Sequence, residues 1–410
     1  MGTLRNRCIP SRRISATHRG TNLGLTQRSQ EAQGSSFRIG ISRGNLGTLQ
    51  NDISTPVCNP VGQIYVRPDM RTLKRMHQGN FRLPKQVGTL MANFEEEDGT
   101  PVNLCPRSLL CDVVSFLQAK HSLEFLVGFE IEITFCRRRE DTSESTFEPL
   151  DDHAWSTFTD RQYVDSFPLI IAIADALEAI GIQIEQTHSE AGAGQYEFVL
   201  PPLSPVQAVD TLMHARQCIQ QMAATNGLRA TCHAQPFPGI GTACHANISF
   251  HSTGGNETLE KQQMCFLAFV LAHLPGLCAF TMPEAASYAR VSDDSWTSGS
   301  WVAWGTQNRE TPLRRVAAPD GSSTRWEVRC LDGMGNIYLA LYAILRAGLQ
   351  GLIQGTEMGL RDCQSKCQLR LEPSIELQLI ALQVTHHVSL RQGGPTWESA
   401  TGCPGKLKKA

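Results

Sequence analysis

The chain lacks an excess of either charge: across 410 residues, 37 Lys and Arg stand against 39 Asp and Glu, for a net charge of −2. That balance leaves no electrostatic footprint for nucleic acid and none for an anionic membrane surface. A cysteine framework is also missing. The 14 cysteines are scattered, with no paired CxxC set, and Cys363 and Cys367 have no partners at zinc-finger spacing. They read as reduced thiols of a cytoplasmic protein. Long apolar runs are scarce. Residues 264–282 carry no formal charge, but they include His273, Pro275 and Gly276 and are barely long enough to span a bilayer. A buried core helix is the expectation there, and no membrane association. Acids are absent before Glu31, where six arginines stand among serines and threonines. Mitochondrial transit segments share this composition, as do basic disordered tails; the disordered reading ranks above import.

What is present suits a sizeable core, since 41% of residues are hydrophobic. Alternation predicts strands at 64–67, 86–94, 124–135, 228–235, 244–251 and 325–331, and a turn then strand over 188–200. Residues 95–99 form an acidic hairpin-type turn. Helical periodicity covers 107–121, 166–180 closed by Gly181, 257–274 and 336–353; another helix starts at Ser204-Pro205 and stops at Gly227. Strands and helices interleave, but the short turns argue against a doubly wound parallel sheet. The expected class is α+β, with an antiparallel sheet carrying the site.

Glu130 and Glu132 sit inside the apolar strand GFEIEI. Side chains two apart share a strand face at roughly 7 Å. Like charges so placed repel unless paired or metal-bound. A wet edge strand is the bland alternative, and this pair alone does not decide against it. Glu190 and Glu197 bracket AGAGQY; they could be two acids of a surface turn. Arg325, Glu327 and Arg329 alternate on a further strand, which could be a salt-bridge ladder. His245 alone reads as a core histidine. Together these five carboxylates and one imidazole suit Mg²⁺ or Mn²⁺ better than zinc. The nearby Arg290, Arg309 and Arg314 add the oxyanion clamps that phosphoryl transfer needs.

The ordered series GFEIEI, EAGAGQYE, CHANIS, NRETPLR and RWEVRCLDGMGNIYLALYAILRAGL resembles that of glutamine synthetases over roughly residues 37–355. The stretch RIGISRGNLGTLQND is similar to fungal glutamine-synthetase-like proteins, including the developmental-regulator branch. The resemblance implies four parts: a basic, disordered segment 1–36, a partial β-grasp-like domain 37–104, a catalytic domain 105–360 with its active-site funnel on the sheet, and an eroded or truncated tail 361–410. It implies one metal site at Glu132, Glu190 and Glu197, and a second at Glu130, His245 and Glu327. Arg309 would meet the transferred phosphoryl group. Arg314 and Arg325, with Glu185 and Ser249, would serve ATP. Arg329, Arg290 and Gly241 would serve the amino-acid substrate. The implied activity joins the γ-carboxylate of glutamate to an amine through an acyl phosphate, with ATP and two or more Mg²⁺ or Mn²⁺ ions, in a homo-oligomer with intersubunit active sites.

Three departures qualify that reading. Glutamine synthetases carry a flap glutamate six residues after the loop arginine; here Trp296 stands there, which favours a substituted amine over ammonium, as in γ-glutamyl-amine ligases. Asn247 replaces the second histidine of HxH. Ile240-Gly241 replaces an Asn-Gly that touches glutamate. Asn247, Ile240 and the atypical ends keep open a catalytically inactive structural or regulatory protein.

Overall fold

The computed structural model describes residues 37–47, 55, 59–76, 87–139, 146–153, 155, 159–252, 259–293, 296–318 and 323–364. The basic segment 1–36 and all of the tail beyond residue 364 lie outside them. The chain opens with β1 (Ile39–Ser42), β2 (Gln63–Pro68), β3 (Lys74–Met76), β4 (Val87–Thr89) and β5 (Ala92–Glu95). β1, β2 and β5 form a small antiparallel sheet over Ile41, Ile64 and Val102, while β3 and β4 pair separately. The segment 86–94, read as one strand, is thus two. Its interruption has a clear cause: Met91 turns both backbone groups to the 69–72 turn, its N–H to Thr72 Oγ1 and its carbonyl to the Asp69 N–H, each at 2.8 Å. The acidic hairpin turn stands as expected, with the Glu96 N–H donating to the Thr100 carbonyl at 2.8 Å.

Helix α1 (Pro106–His121) follows, with Pro106 in its first turn and Leu110, Val113 and Leu117 buried at helical spacing. It leads into β6 (Leu123–Arg138), the longest strand among the described residues. β7 (Phe147–Pro149), α2 (Asp160–Asp165), α3 (Phe167–Ala179), β8 (Gln186–Ser189) and β9 (Gln195–Val199) come next, then α4 (Pro205–Thr225), β10 (Arg229–Thr231) and β11 (Cys244–Ser252). The helix expected over 166–180 begins one residue later and has a short companion before it. Pro168, in the first turn of α3, has no N–H to continue α2, and the Ser166 hydroxyl at the junction donates to the buried Asp151 carboxylate.

The second half comprises α5 (Leu259–Ala272), α6 (Leu274–Thr281), α7 (Ala285–Arg290), β12 (Trp304–Thr306), β13 (Leu313–Ala317), β14 (Ser323–Val328) and α8 (Ile337–Gln354). The apolar run 264–282 is not one helix. It bends by 78° between α5 and α6, because Pro275 cannot donate back into the preceding turn. α8 is long and apolar enough to cross a membrane. It packs instead against α5 and α1, burying Ala340, Leu341, Ile344, Leu345 and Leu349.

The large sheet runs β12-β13-β14-β11-β6-β9-β8, with β10 and β7 also paired to β6. It is antiparallel except for the parallel β12–β13 pair, so the α+β class holds. β6 shows how the sheet is partitioned. Phe129, Ile131, Ile133 and Phe135 are fully buried in the core against α1 and α4, each worth about 1.5–3 kcal/mol. The intervening Glu130, Glu132 and Thr134 must then point to the other face. Arg107 ties the small sheet to the large unit: it bonds Asp69 and Asp210 at 2.8 Å and Asn93 at 3.0 Å.

Candidate active site

Strand register determines which side chains meet, because direct cross-strand partners share a face. Glu132 lies opposite Glu197, and Glu197 opposite His188. Glu130 lies opposite His245. Asn247 lies opposite Glu327, and Glu327 opposite Arg314. One polar stripe therefore crosses β8, β9, β6, β11, β14 and β13.

Contacts within the stripe are close. His245 Nδ1 is 3.1 Å from Glu130 Oε2 and 3.6 Å from both Glu132 Oε1 and Glu327 Oε1. The Asn247 amide donates to Glu130 Oε1 at 2.8 Å. Glu132 Oε2 accepts from Gln195 Nε2 at 3.0 Å and from the Ala243 N–H at 2.7 Å. His188 Nε2 lies 3.1 Å from Glu190 Oε1 and 3.8 Å from Glu197 Oε1. Glu327 is paired on both oxygens, with Arg314 Nη1 at 2.9 Å and with Arg329 Nη1.

Burial and crowding shift these carboxyls in different directions. Burial pushes Glu130 up, but the His245 hydrogen bond and charge and the Asn247 amide outweigh it and hold the group at about 2. Glu132 goes up, chiefly through burial. Glu197 is pushed up to about 10 by burial and then by the charges of Glu130, Glu132, Glu190 and Glu327. The stripe thus crowds buried carboxyls whose ionised forms a bound cation would stabilise. Two triads bring one ligand atom each within 4.8 Å of one another: Glu130–Glu197–His245 and His188–Glu190–Glu197. The buried His245 Nε2 has no hydrogen-bond partner. Oxygen donors with imidazole, an orphaned ring nitrogen and crowded carboxyls fit a hard divalent cation.

The remaining residues named from sequence line the same face or its rim. Ser249 shares the face of His245 and Asn247 on β11, while Glu185 is exposed just before β8. Arg325 is exposed and donates to Asn247 Oδ1 at 3.0 Å. Arg329 donates through Nε to the Arg309 carbonyl at 3.0 Å and through Nη2 to the Trp296 carbonyl at 2.7 Å. The exposed Arg309 guanidinium stands 5.6 Å from the Trp296 ring centroid. Arg290 is buried, with Nη2 3.4 Å from the Arg329 carbonyl and Nε unpaired. A Cβ at Gly241 would lie 2.8 Å from Arg290 Cγ, and its carbonyl accepts from Gln195 Nε2 at 2.8 Å.

The resemblance implies the ligand sets Glu132–Glu190–Glu197 and Glu130–His245–Glu327. Both close triads include Glu197, while Glu132 and Glu327 are engaged by hydrogen-bond donors and arginines. Two contributors were missed. His188 stands two residues before Glu190, a spacing that puts both near one ligand point. Gln195, just before the YE pair, holds both Glu132 and Gly241.

The glutamine synthetase catalytic domain family matches residues 103–372. Protein fluG of Emericella nidulans is 38% identical over 330 residues, covering 80% of this chain and 36% of that protein. Gamma-glutamylpolyamine synthetase GlnA3 of Streptomyces coelicolor is 31% identical over 309 residues, covering 72% of this chain and 64% of its own length. The chain thus spans between about a third and two thirds of these curated relatives. A novel glutamine synthase homolog superposes with a TM-score of 0.69 at 24% identity, over 90% of this chain and 91% of that one. Apo GmaS does so at 0.68 and 23%, over 96% and 87%. With its catalytic-domain match covering most of the described residues and its carboxylate–imidazole stripe on the expected strands, the chain belongs to the glutamine synthetase family.

Proposed function

We propose that this chain is an ATP-dependent ligase that couples a carboxylic acid, glutamate by resemblance, to a substituted amine through an acyl phosphate. The observation that carries the reading is the stripe from His188 to Arg314, where five glutamates and two histidines meet three arginines on one sheet face. Glu130, Glu190, Glu197, His188 and His245 would hold Mg²⁺ or Mn²⁺. Bound there, such ions would neutralise phosphate oxygens and align the transfer.

The chain's own residues supply the rest. Arg314, beside Glu327, would hold nucleotide phosphate, and the exposed Arg325 and Ser249 would line the nucleotide side. Arg309 would take up charge on the phosphoryl group as it moves to the acid's carboxylate oxygen. Arg329, Arg290 and Gly241 would seat the acid. Arg329 is the pivot, since it pairs with Glu327 while bonding the carbonyls of both Arg309 and Trp296. The GlnA3 similarity supports an amine larger than ammonium. A homo-oligomer with sites completed between subunits belongs to the same reading.

The test is ATP turnover with glutamate and Mn²⁺ against ammonium, alkyl, aryl and diamines, with products read by mass. Amine-dependent ADP release with a matching amide supports the proposal, and flat ADP across the panel sinks it. One observation favours a non-catalytic alternative: Glu327 is saturated by two arginines, and Asn247 is tied to both Glu130 and Arg325. A self-satisfied site would bind nucleotide and metal without turnover.

A further inference from the structure

Two large indoles stand in the open beside the stripe. Trp296 is 60% exposed and Trp155 47% exposed, unusual for side chains of that size. Their ring centroids are 6.0 Å apart and their planes meet at 88°, so they form a corner of two flat walls. The corner is anchored, not loosely placed. The Trp296 carbonyl accepts from Arg329 Nη2 at 2.7 Å, and Arg329 is ion-paired with Glu327 at the heart of the stripe.

Resting on the ligase reading, we infer that Trp155 and Trp296 form the amine subsite and that it takes an aromatic amine uncharged at neutral pH. Charge excludes the alternatives. Among the described residues, the charged groups bonded to or standing over Trp296 are two guanidiniums, those of Arg329 and Arg309. Arg309 already holds a cation's place near the ring, and a second cation brought there meets its repulsion, while Arg329 is balanced by Glu327. Asp293, an acid of the same loop, is engaged by Ser300 and Trp301: Oδ1 accepts from the Ser300 N–H at 2.9 Å and from its hydroxyl at 2.7 Å, and Oδ2 from Trp301 Nε1 at 3.0 Å. Ammonium and protonated diamines are disfavoured by this field. A flat amine whose lone pair is shared with its ring escapes it and gains edge-to-face contact with both indoles.

The chemistry is consistent with the missing acid at position 296. An ammonium ion must lose a proton before it can attack. An uncharged arylamine attacks directly: its nitrogen lone pair forms the C–N bond at the acyl carbon, the bond from that carbon to the phosphate oxygen breaks, and phosphate leaves with the electron pair. The surplus N–H proton passes to the departing phosphate.

The experiment uses the full chain with ATP, Mn²⁺ and glutamate. Hydroxylamine, small and uncharged, first traps the acyl phosphate as a hydroxamate without needing the indole corner, which reads the ligase reaction on its own. Aniline, benzylamine, putrescine and ammonium are then compared as acceptors, and aniline binding is measured by calorimetry. Aniline is expected to be the best acceptor, with Trp296→Ala and Trp155→Ala each weakening its binding about tenfold. Trp296→Glu is expected to shift preference toward putrescine and ammonium. Hydroxamate with putrescine or ammonium preferred overturns the aromatic subsite and leaves the ligase. No hydroxamate with indole-dependent aniline binding overturns the ligase and keeps the subsite. Aniline binding unchanged in both alanine variants overturns the inference.

Discussion

Glu132 on β6 and Glu197 on β9 are direct cross-strand partners, two carboxylates held side by side on one buried face. Burial and the surrounding acids raise Glu197 to about 10, so the pair strains the fold unless a cation sits between its members. Mn²⁺ is expected to stabilise the fold by about 2.7 kcal/mol at a hundredfold excess over its Kd, and so to raise the melting temperature. Glu197→Gln should behave in the opposite way to an ordinary core polar change. It is expected to raise the melting temperature of the metal-free protein by about 3 °C and to abolish the Mn²⁺ response. Scanning calorimetry with EDTA and with Mn²⁺ checks both. A variant that is less stable yet still metal-responsive would remove Glu197 from the site.

Arg329 and Glu327 form a buried pair in which each needs the other. Removing Arg329 alone leaves the buried Glu327 carboxylate with Arg314 on one oxygen and no arginine on the other, a loss of up to about 3–5 kcal/mol. Arg329→Met is therefore expected to be strongly destabilised in urea melts and inactive. Adding Glu327→Gln should recover much of the loss, because the stranded charge is gone. If the double variant is no more stable than Arg329→Met, Glu327 is neutralised mainly by Arg314.

How far this could be read from sequence differs from residue to residue. The two-residue spacing of Glu130 and Glu132 within an apolar strand already fixes their shared face, and β6 places them so. Helix boundaries at Pro106, Gly181 and Gly227 follow from local chemistry that needs no partner. The bend at His273 is equally local, signalled by Pro275, but the uncharged run around it reads as one buried helix. Cross-strand pairing is not legible, because it depends on register: nothing in the chain order says that Glu197 lies opposite Glu132 while Glu130 faces His245. Trp155 is further still from legible, since it meets Trp296 only across some 140 residues of intervening chain.

His214 on α4 gives the fold a pH dependence of its own. Burial, with the Lys74 charge, lowers its pKa from 6.5 to about 4, and its Nδ1 sits 3.2 Å from the Thr89 hydroxyl. The folded protein therefore holds a neutral ring where the unfolded chain takes up a proton. This contribution is fully present above pH 6.5 and is lost as pH falls toward about 4, at up to about 1.4 kcal/mol per unit. Melting temperature should decline from pH 7 to pH 5, and His214→Gln should flatten that slope. An unchanged slope would assign it to other groups.

Gly194 separates effects on the site from effects on the fold. It lies in the turn between Glu190 and Glu197 with φ +66°, and its N–H donates to Asp151 Oδ1 at 3.0 Å. A Cβ there would stand 2.6 Å from the Phe135 carbonyl and 2.9 Å from the Leu150 nitrogen. Those are backbone atoms of β6 and its neighbouring segment, so the turn itself must move. Gly99 is the control: its φ is +90°, but a Cβ would meet nothing within 4 Å. Gly99→Ala should cost about 1–2 kcal/mol of backbone strain and leave the Mn²⁺ response intact. Gly194→Ala carries the same strain plus the clash, and the clash displaces Glu190 relative to Glu197. Its Mn²⁺ affinity, measured by calorimetry on the folded fraction, is expected to fall by about tenfold or more. If both variants keep wild-type affinity, the turn does not set ligand geometry, and the metal would be held by Glu130, Glu197 and His245 alone.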